Sequence, residues 1–127
     1  TLLDTSAILA HCLGEPGSAE VAGIFERGEA WVAATTWLEL RVRLQGESEA
    51  AELIRLYEES VAGTIDVTRE VALAAYEIRK ATPNRVPMID CLIAGSARVH
   101  RMTLVHRDRH MAAIPQRLVR QKQLPAK

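Results

Sequence analysis

The amino-acid sequence predicts an α/β fold, a mainly parallel sheet of four or five short strands with helices on both faces (α/β/α). Two observations carry that prediction. Short apolar runs such as Leu2-Leu3 and Trp31-Val32-Ala33-Ala34 alternate with longer stretches of helical periodicity, a pattern that yields parallel strands covered on both sides. Hydrophobic residues make up 48% of the chain but aromatics only 4%, so the core is aliphatic. At 127 residues the chain is expected to form a single domain over 1–127.

Each element has its own signal. Leu2-Leu3 ends in Asp4, and a short helix from Ser6 to Leu13 follows, stopped by Gly14 and Pro16, with Ser6 placed as its N-cap. A second helix starts near Ser18 and carries Val21, Ile24 and Phe25 to Gly28. Trp31 to Ala34 reads as a buried strand, and a helix from Trp37 to about Leu44 sets Leu40 and Leu44 four apart. Ser48 to Ala62 is a charge-rich helix with Leu53, Ile54, Leu56, Tyr57 and Val61 as its apolar stripe. Thr64 to Val67 is a third strand, after which Thr68 caps a helix bearing Val71, Ala74, Ala75 and Ile78. Thr82-Pro83-Asn84 breaks it, Pro87 leads into a helix from Met88 to His100, and Thr103-Leu104-Val105 is the fourth strand. Leu118-Val119-Arg120 reads as a fifth strand and Gln121 to Lys127 as a frayed tail.

Bulk properties narrow the function classes. No run approaches the roughly 20 apolar residues of a membrane span. No secretory leader is visible, and Cys12 and Cys91 form no C-x-x-C pair, which together point to a reducing, cytoplasmic setting. Net charge is zero but lopsided. Residues 1–78 hold 5 Lys/Arg against 14 Asp/Glu, a balance of −9, and residues 79–127 hold 11 against 2, a balance of +9. Such asymmetry points to nucleic acid or to neutralisation of one half by the other.

Four acids carry the chemistry. Asp4 sits at the carboxyl end of the first strand, the edge at which open α/β sheets bind ligands, although an Asp there also caps a helix. Glu39 falls in the first turn of the helix after the second strand, where Thr36-Trp37-Leu38-Glu39 also fits a capping box. Asp90 is the only charged residue between Arg85 and Arg98. A helix N-terminus favours it by about 0.3–1 kcal/mol, less than the several kcal/mol that an uncompensated buried carboxylate costs. Asp90 therefore faces solvent or meets a cation. Asp108 directly follows the fourth strand in His106-Arg107-Asp108-Arg109-His110, where pairing with neighbouring arginines is the plainer reading. Carboxylates about 4 Å apart repel by roughly 4 kcal/mol at an effective dielectric near 20. Four of them at one edge need positive charge, and oxygen ligands suit Mg²⁺ or Mn²⁺.

Asp4-Thr5-Ser6-Ala7, an acid after the second strand, Ile89-Asp90-Cys91-Leu92-Ile93-Ala94 and the Leu104-Val105-His106-Arg107-Asp108 turn together resemble the PIN-domain ribonucleases. The similarity is greatest to the short toxins of VapBC-type toxin–antitoxin pairs and extends over nearly the whole chain. It implies a metal-binding, catalytic quartet of Asp4, Glu39, Asp90 and Asp108, with the Ser6 hydroxyl near the metal or its water. It further implies Mg²⁺- or Mn²⁺-dependent hydrolysis of RNA, an antitoxin partner and a homodimer. Arg85, Arg107 and Arg109, nearest the acids in sequence, are the candidate phosphate contacts, and the Leu53, Leu56 and Tyr57 helix either lines the antitoxin's groove or packs on the sheet. The chain departs from the family two and three positions after its fourth acid, where His110 and Met111 replace an acid and an aromatic.

Rival readings fit less of the sequence. A silent PIN-like module binding RNA or protein has no use for four mutually repelling acids. A haloacid-dehalogenase-like phosphatase needs a second Asp two residues after Asp4, where Ser6 stands. A receiver domain needs a later Lys, and none lies between Lys80 and Lys122. Zinc at His106, Asp108 and His110 is disfavoured because a strand-to-loop segment does not fix which way the two imidazoles face. Asp66 is read as an exposed strand position, Cys91 as a small buried hydrophobe, and Trp31 and Trp37 as core or partner-facing rather than base-stacking.

Overall fold

A computed structural model describes residues 1–127. Its centre is a five-stranded sheet, formed by β1 (Leu2–Leu3), β2 (Trp31–Ala33), β3 (Gly63–Ile65), β4 (Leu104–His106) and β5 (Gln121–Gln123) in the spatial order β3-β2-β1-β4-β5. Every pairing is parallel, with Leu2 opposite both Trp31 and Leu104. All the carboxyl ends therefore share one edge, and β1 occupies the middle. The chain winds outward from β1 through β2 to β3, then returns to the other side as β4, so the topological switch point lies between β1 and β4.

Successive strand residues point to opposite faces, and the two cores divide accordingly. Leu3, Val32 and Val105 join the core under α1 (Thr5–Cys12), α2 (Ser18–Glu26), α3 (Ala34–Arg43) and α4 (Ala50–Ser60). Leu2, Ala33 and Leu104 join the opposite core under α5 (Arg69–Ala81), α6 (Met88–Val99) and α7 (Arg109–Ala112). Helices cover both faces, as the alternation of elements predicts. Gly95 lets α5 and α6 approach closely, since a Cβ there would sit 2.8 Å from the Val71 carbonyl oxygen and 3.0 Å from the Ala75 nitrogen. No helix is long and apolar enough to cross a membrane.

Several boundaries differ from the sequence reading. The fifth strand is Gln121–Gln123 rather than Leu118–Arg120. The expected frayed tail is instead docked, with Leu124 2% exposed in the core and its amide bonded to the His106 carbonyl at 2.7 Å. Isolated polar residues in an edge strand give no periodic signal, and here backbone pairing rather than hydrophobicity makes the strand. Asp66 lies just past β3 and is exposed. Of the residues proposed to line a partner groove, Tyr57 is core at 8% exposure and Leu53 packs against that core, so Leu56 alone stands out at 49%. Thr68 caps α5 as expected, accepting from the Val71 amide at 3.2 Å.

Candidate metal centre

Asp4, Ser6, Glu39, Asp90 and Asp108 all line one cleft of about 550 Å³ at the carboxyl edge of the sheet. Asp4 leaves β1 in extended conformation and is itself the N-cap of α1, accepting from the Ser6 amide at 3.2 Å. Ser6 is thus not the cap. It lies in the first turn, where its hydroxyl donates to Asp4 Oδ2 at 2.6 Å and accepts from the Arg107 amide at 2.9 Å. Both hydrogen bonds to Asp4 fall on Oδ2, leaving Oδ1 for another partner although the residue is 3% exposed.

Glu39 reaches the cleft by a different route from the one the sequence suggests. Helix α3 starts at Ala34, directly after β2, and its N-cap Ala33 has no side chain to cap with. The capping box therefore does not form, and Glu39 sits in the second turn rather than the first. The Thr5 hydroxyl donates to Glu39 Oε1 at 2.6 Å and lies 3.1 Å from the buried Thr36 hydroxyl. Thr5 is a positioning residue that sequence reasoning missed; its only signal was a second hydroxyl beside Asp4.

Asp90 lies in the first turn of α6, behind Pro87 as N-cap. It is half-buried, accepts no hydrogen bond and pairs with no Lys or Arg. Burial and then the charges of Asp4, Asp108 and Glu39 push its carboxyl up to about 7 from its ordinary 3.8. Asp4 is pushed up to about 6, chiefly by burial, against the opposing hydrogen bonds from Ser6. Asp108 caps α7, accepting from the His110 amide at 2.7 Å. The donor set fits a hard divalent cation: four carboxylates converge, one without any partner, and the two most perturbed are raised by burial and by the other acids.

The four acids are not equally close. One ligand atom each from Asp90, Asp108 and His110 lie within 4.8 Å of one another, whereas Asp4 and Glu39 stand outside that tight group. A strand-to-loop segment does not fix which way His110 faces, so its only signal in the sequence is its spacing two residues from Asp108. His106, by contrast, is fully buried. Its Nε2 bonds to Gln121 Oε1 at 2.8 Å and its Nδ1 accepts from the Asp108 amide at 3.1 Å, so both ring nitrogens are engaged in holding the loop.

Cations surround the acids. Arg107 and Arg109 line the cleft, joined by Arg43. Arg85 lies in an adjoining cavity of about 360 Å³ that shares Arg109 and includes His110. Arg107 is ion-paired with Glu15, and Lys127 reaches the same carboxylate at 3.0 Å. A larger cleft of about 660 Å³ among Arg98, Arg101, Arg117 and Arg120 has no such acid cluster. There Arg98 and Arg120 already donate to the backbone carbonyls of Leu118 and Arg101.

Comparisons with known proteins agree with this architecture. No curated protein sequence matches the chain significantly. Among solved structures, VapBC2 from Rickettsia felis, bound to a promoter DNA fragment, is similar with a TM-score of 0.78 at 14% identity, over 98% of each chain. DNA-bound VapBC from Salmonella typhimurium is similar with a TM-score of 0.75 at 20% identity, over 96% of each chain. VapBC-5 from Mycobacterium tuberculosis, a member of the VapBC family of toxin–antitoxin systems, gives a TM-score of 0.64 at 21% identity, over 96% of each. At these identities the likeness establishes the fold. The sequence itself is matched over residues 1–116 by the model of the PIN domain family, and the chain belongs to that family.

Proposed function

We propose that this chain is a metal-dependent endoribonuclease, the toxin of a toxin–antitoxin pair, acting as a single PIN-like domain over residues 1–127. The observation that carries the reading is Asp90, a half-buried carboxylate that accepts no hydrogen bond and pairs with no Lys or Arg, facing three more acids. In this reading Asp4, Glu39, Asp90 and Asp108 hold Mg²⁺ or Mn²⁺. The bound ion supplies an acidified water and stabilises charge on the phosphoryl and leaving oxygens. Ser6 fixes Asp4 so that Oδ1 is free, and Thr5 fixes Glu39 in the same way. Arg109 and Arg43, beside the acids, hold the phosphates that flank the scissile bond.

The partner assignments rest on exposed apolar side chains. Leu13 borders the acid cleft at 56% exposure, and Leu38 and Val42 on α3 are 57% and 59% exposed. They offer an apolar segment of an antitoxin a seat beside the site. Leu73, Tyr76 and Met88 on α5 and α6, at 57%, 60% and 64%, offer a second surface for a homodimer. The similar VapBC structures support the antitoxin assignment.

The test is cleavage of structured RNAs by the purified protein with Mg²⁺ or Mn²⁺, beside a chelated control and the variants Asp4→Asn and Asp90→Asn. Metal-dependent cleavage lost in both variants is expected. Cleavage that survives chelation, or that both variants retain in full, sinks the proposal.

A further inference from the structure

His110 stands within ligand distance of two of the acids. Its Nδ1 lies 3.3 Å from Asp108 Oδ1, and one ligand atom each of His110, Asp108 and Asp90 lie within 4.8 Å of one another. Adjacent ligands of an octahedral ion with bonds near 2.1 Å are about 3 Å apart. The Asp108–His110 spacing therefore suits two neighbouring ligands of one ion as well as it suits a direct contact. The backbone holds the pair in place, because Asp108 caps α7 through the His110 amide at 2.7 Å and its own amide is held by His106 at 3.1 Å. His110 remains partly open, at 41% side-chain exposure, on the wall of the cavity that also contains Arg85 and Arg109. Deeper in the adjoining cleft, the buried Asp4 keeps Oδ1 without a hydrogen bond.

Resting on the reading of the acids as a metal site, we propose that His110 supplies a nitrogen ligand to the divalent ion and biases the site toward Mn²⁺ over Mg²⁺. Mg²⁺ takes oxygen ligands almost exclusively, whereas imidazole suits transition metals. An all-carboxylate set has little basis for such a preference, and one imidazole among the carboxylates introduces it. The neutral ring turns its Nδ1 lone pair to the ion while Nε2 keeps its hydrogen.

Pulsed electron paramagnetic resonance of Mn²⁺ bound to the full chain, free of any histidine tag or imidazole buffer, reads the ligand directly. The expected result is ¹⁴N modulation from one imidazole, lost in His110→Ala and in His110→Asp. In competition titrations followed by the free-Mn²⁺ signal, His110→Asp is expected to lower the Mn²⁺-over-Mg²⁺ preference by about tenfold or more. Bound Mn²⁺ without nitrogen modulation, or with modulation that persists in His110→Ala, overturns the role of His110 and leaves the carboxylate site standing. Failure of Mn²⁺ to bind at all overturns both.

Discussion

Ser6 and Arg107, 101 residues apart in the chain, are joined by one hydrogen bond of 2.9 Å from the Arg107 amide to the Ser6 hydroxyl, which in turn donates to Asp4. The link spans the switch point between β1 and β4. It ties the carboxylate at the end of one strand to the turn that carries Asp108. Removing the hydroxyl leaves a part-buried amide unpaired and Asp4 with a single donor, a loss of about 1–3 kcal/mol. Ser6→Ala is therefore expected to lower the midpoint of denaturant unfolding in chelator and to weaken Mn²⁺ binding about tenfold. Equal stability and equal affinity in calorimetry would show that the bridge has no such role.

The raised carboxyls make the metal-free protein sensitive to pH. Asp90 ionises at about 7 in the folded chain against an ordinary 3.8. Between those values the folded state holds the extra proton, so this residue's contribution to stability falls as pH rises. His106, held below its ordinary 6.5 by burial, contributes with the opposite sign, its stability being lost as pH falls below 6.5. Comparison of wild type with Asp90→Asn cancels that contribution. The variant is expected to melt higher than wild type at pH 7.5 in chelator, with the gap narrowing toward pH 5 and reversing when Mn²⁺ is added. A gap that does not change with pH contradicts the assigned environment of Asp90.

Close packing of α5 on α6 sets the position of Asp90. Gly95→Ala places a Cβ 2.8 Å from a backbone oxygen that cannot swing aside, and overpacking of this kind costs about 1–3 kcal/mol. Thermal melting is expected to show that loss, with reduced Mn²⁺ affinity as α6 shifts. A variant as stable as wild type would mean that the two helices separate freely.

Docking of the C-terminal residues predicts a cost for loosening them. Leu124 is 2% exposed and packs in the core under α1 and α2, so Leu124→Ala is expected to destabilise by about 2–5 kcal/mol. Loss of well under 1 kcal/mol in urea unfolding would assign the tail to the surface instead.

Much of this was legible from residues alone, for physical reasons that differ by element. β1 and Asp4 were readable because two aliphatics meeting an acid and a helical pattern leave few alternatives. Asp90 was readable because one charge in an apolar run demands a partner. β5 was not, since Gln121, Lys122 and Gln123 carry no hydrophobic pattern and their pairing with β4 is a tertiary event. The capping roles shifted for a similar reason: with no loop between β2 and α3, Thr36 lies inside the helix and Glu39 is freed for Thr5. The facing of His110 is not legible, because it depends on α7, a four-residue helix too short to leave a periodic signal.

The proposed activity requires that Asp4, Glu39, Asp90 and Asp108 gather to hold one or more divalent cations. Anomalous scattering from crystals grown or soaked with Mn²⁺ tests it most directly. A strong peak is expected in the cleft, within coordination distance of Asp90 and Asp108, and it is expected to disappear in Asp90→Asn. A cleft without a peak at millimolar Mn²⁺, or a peak only at surface carboxylates elsewhere, would contradict it.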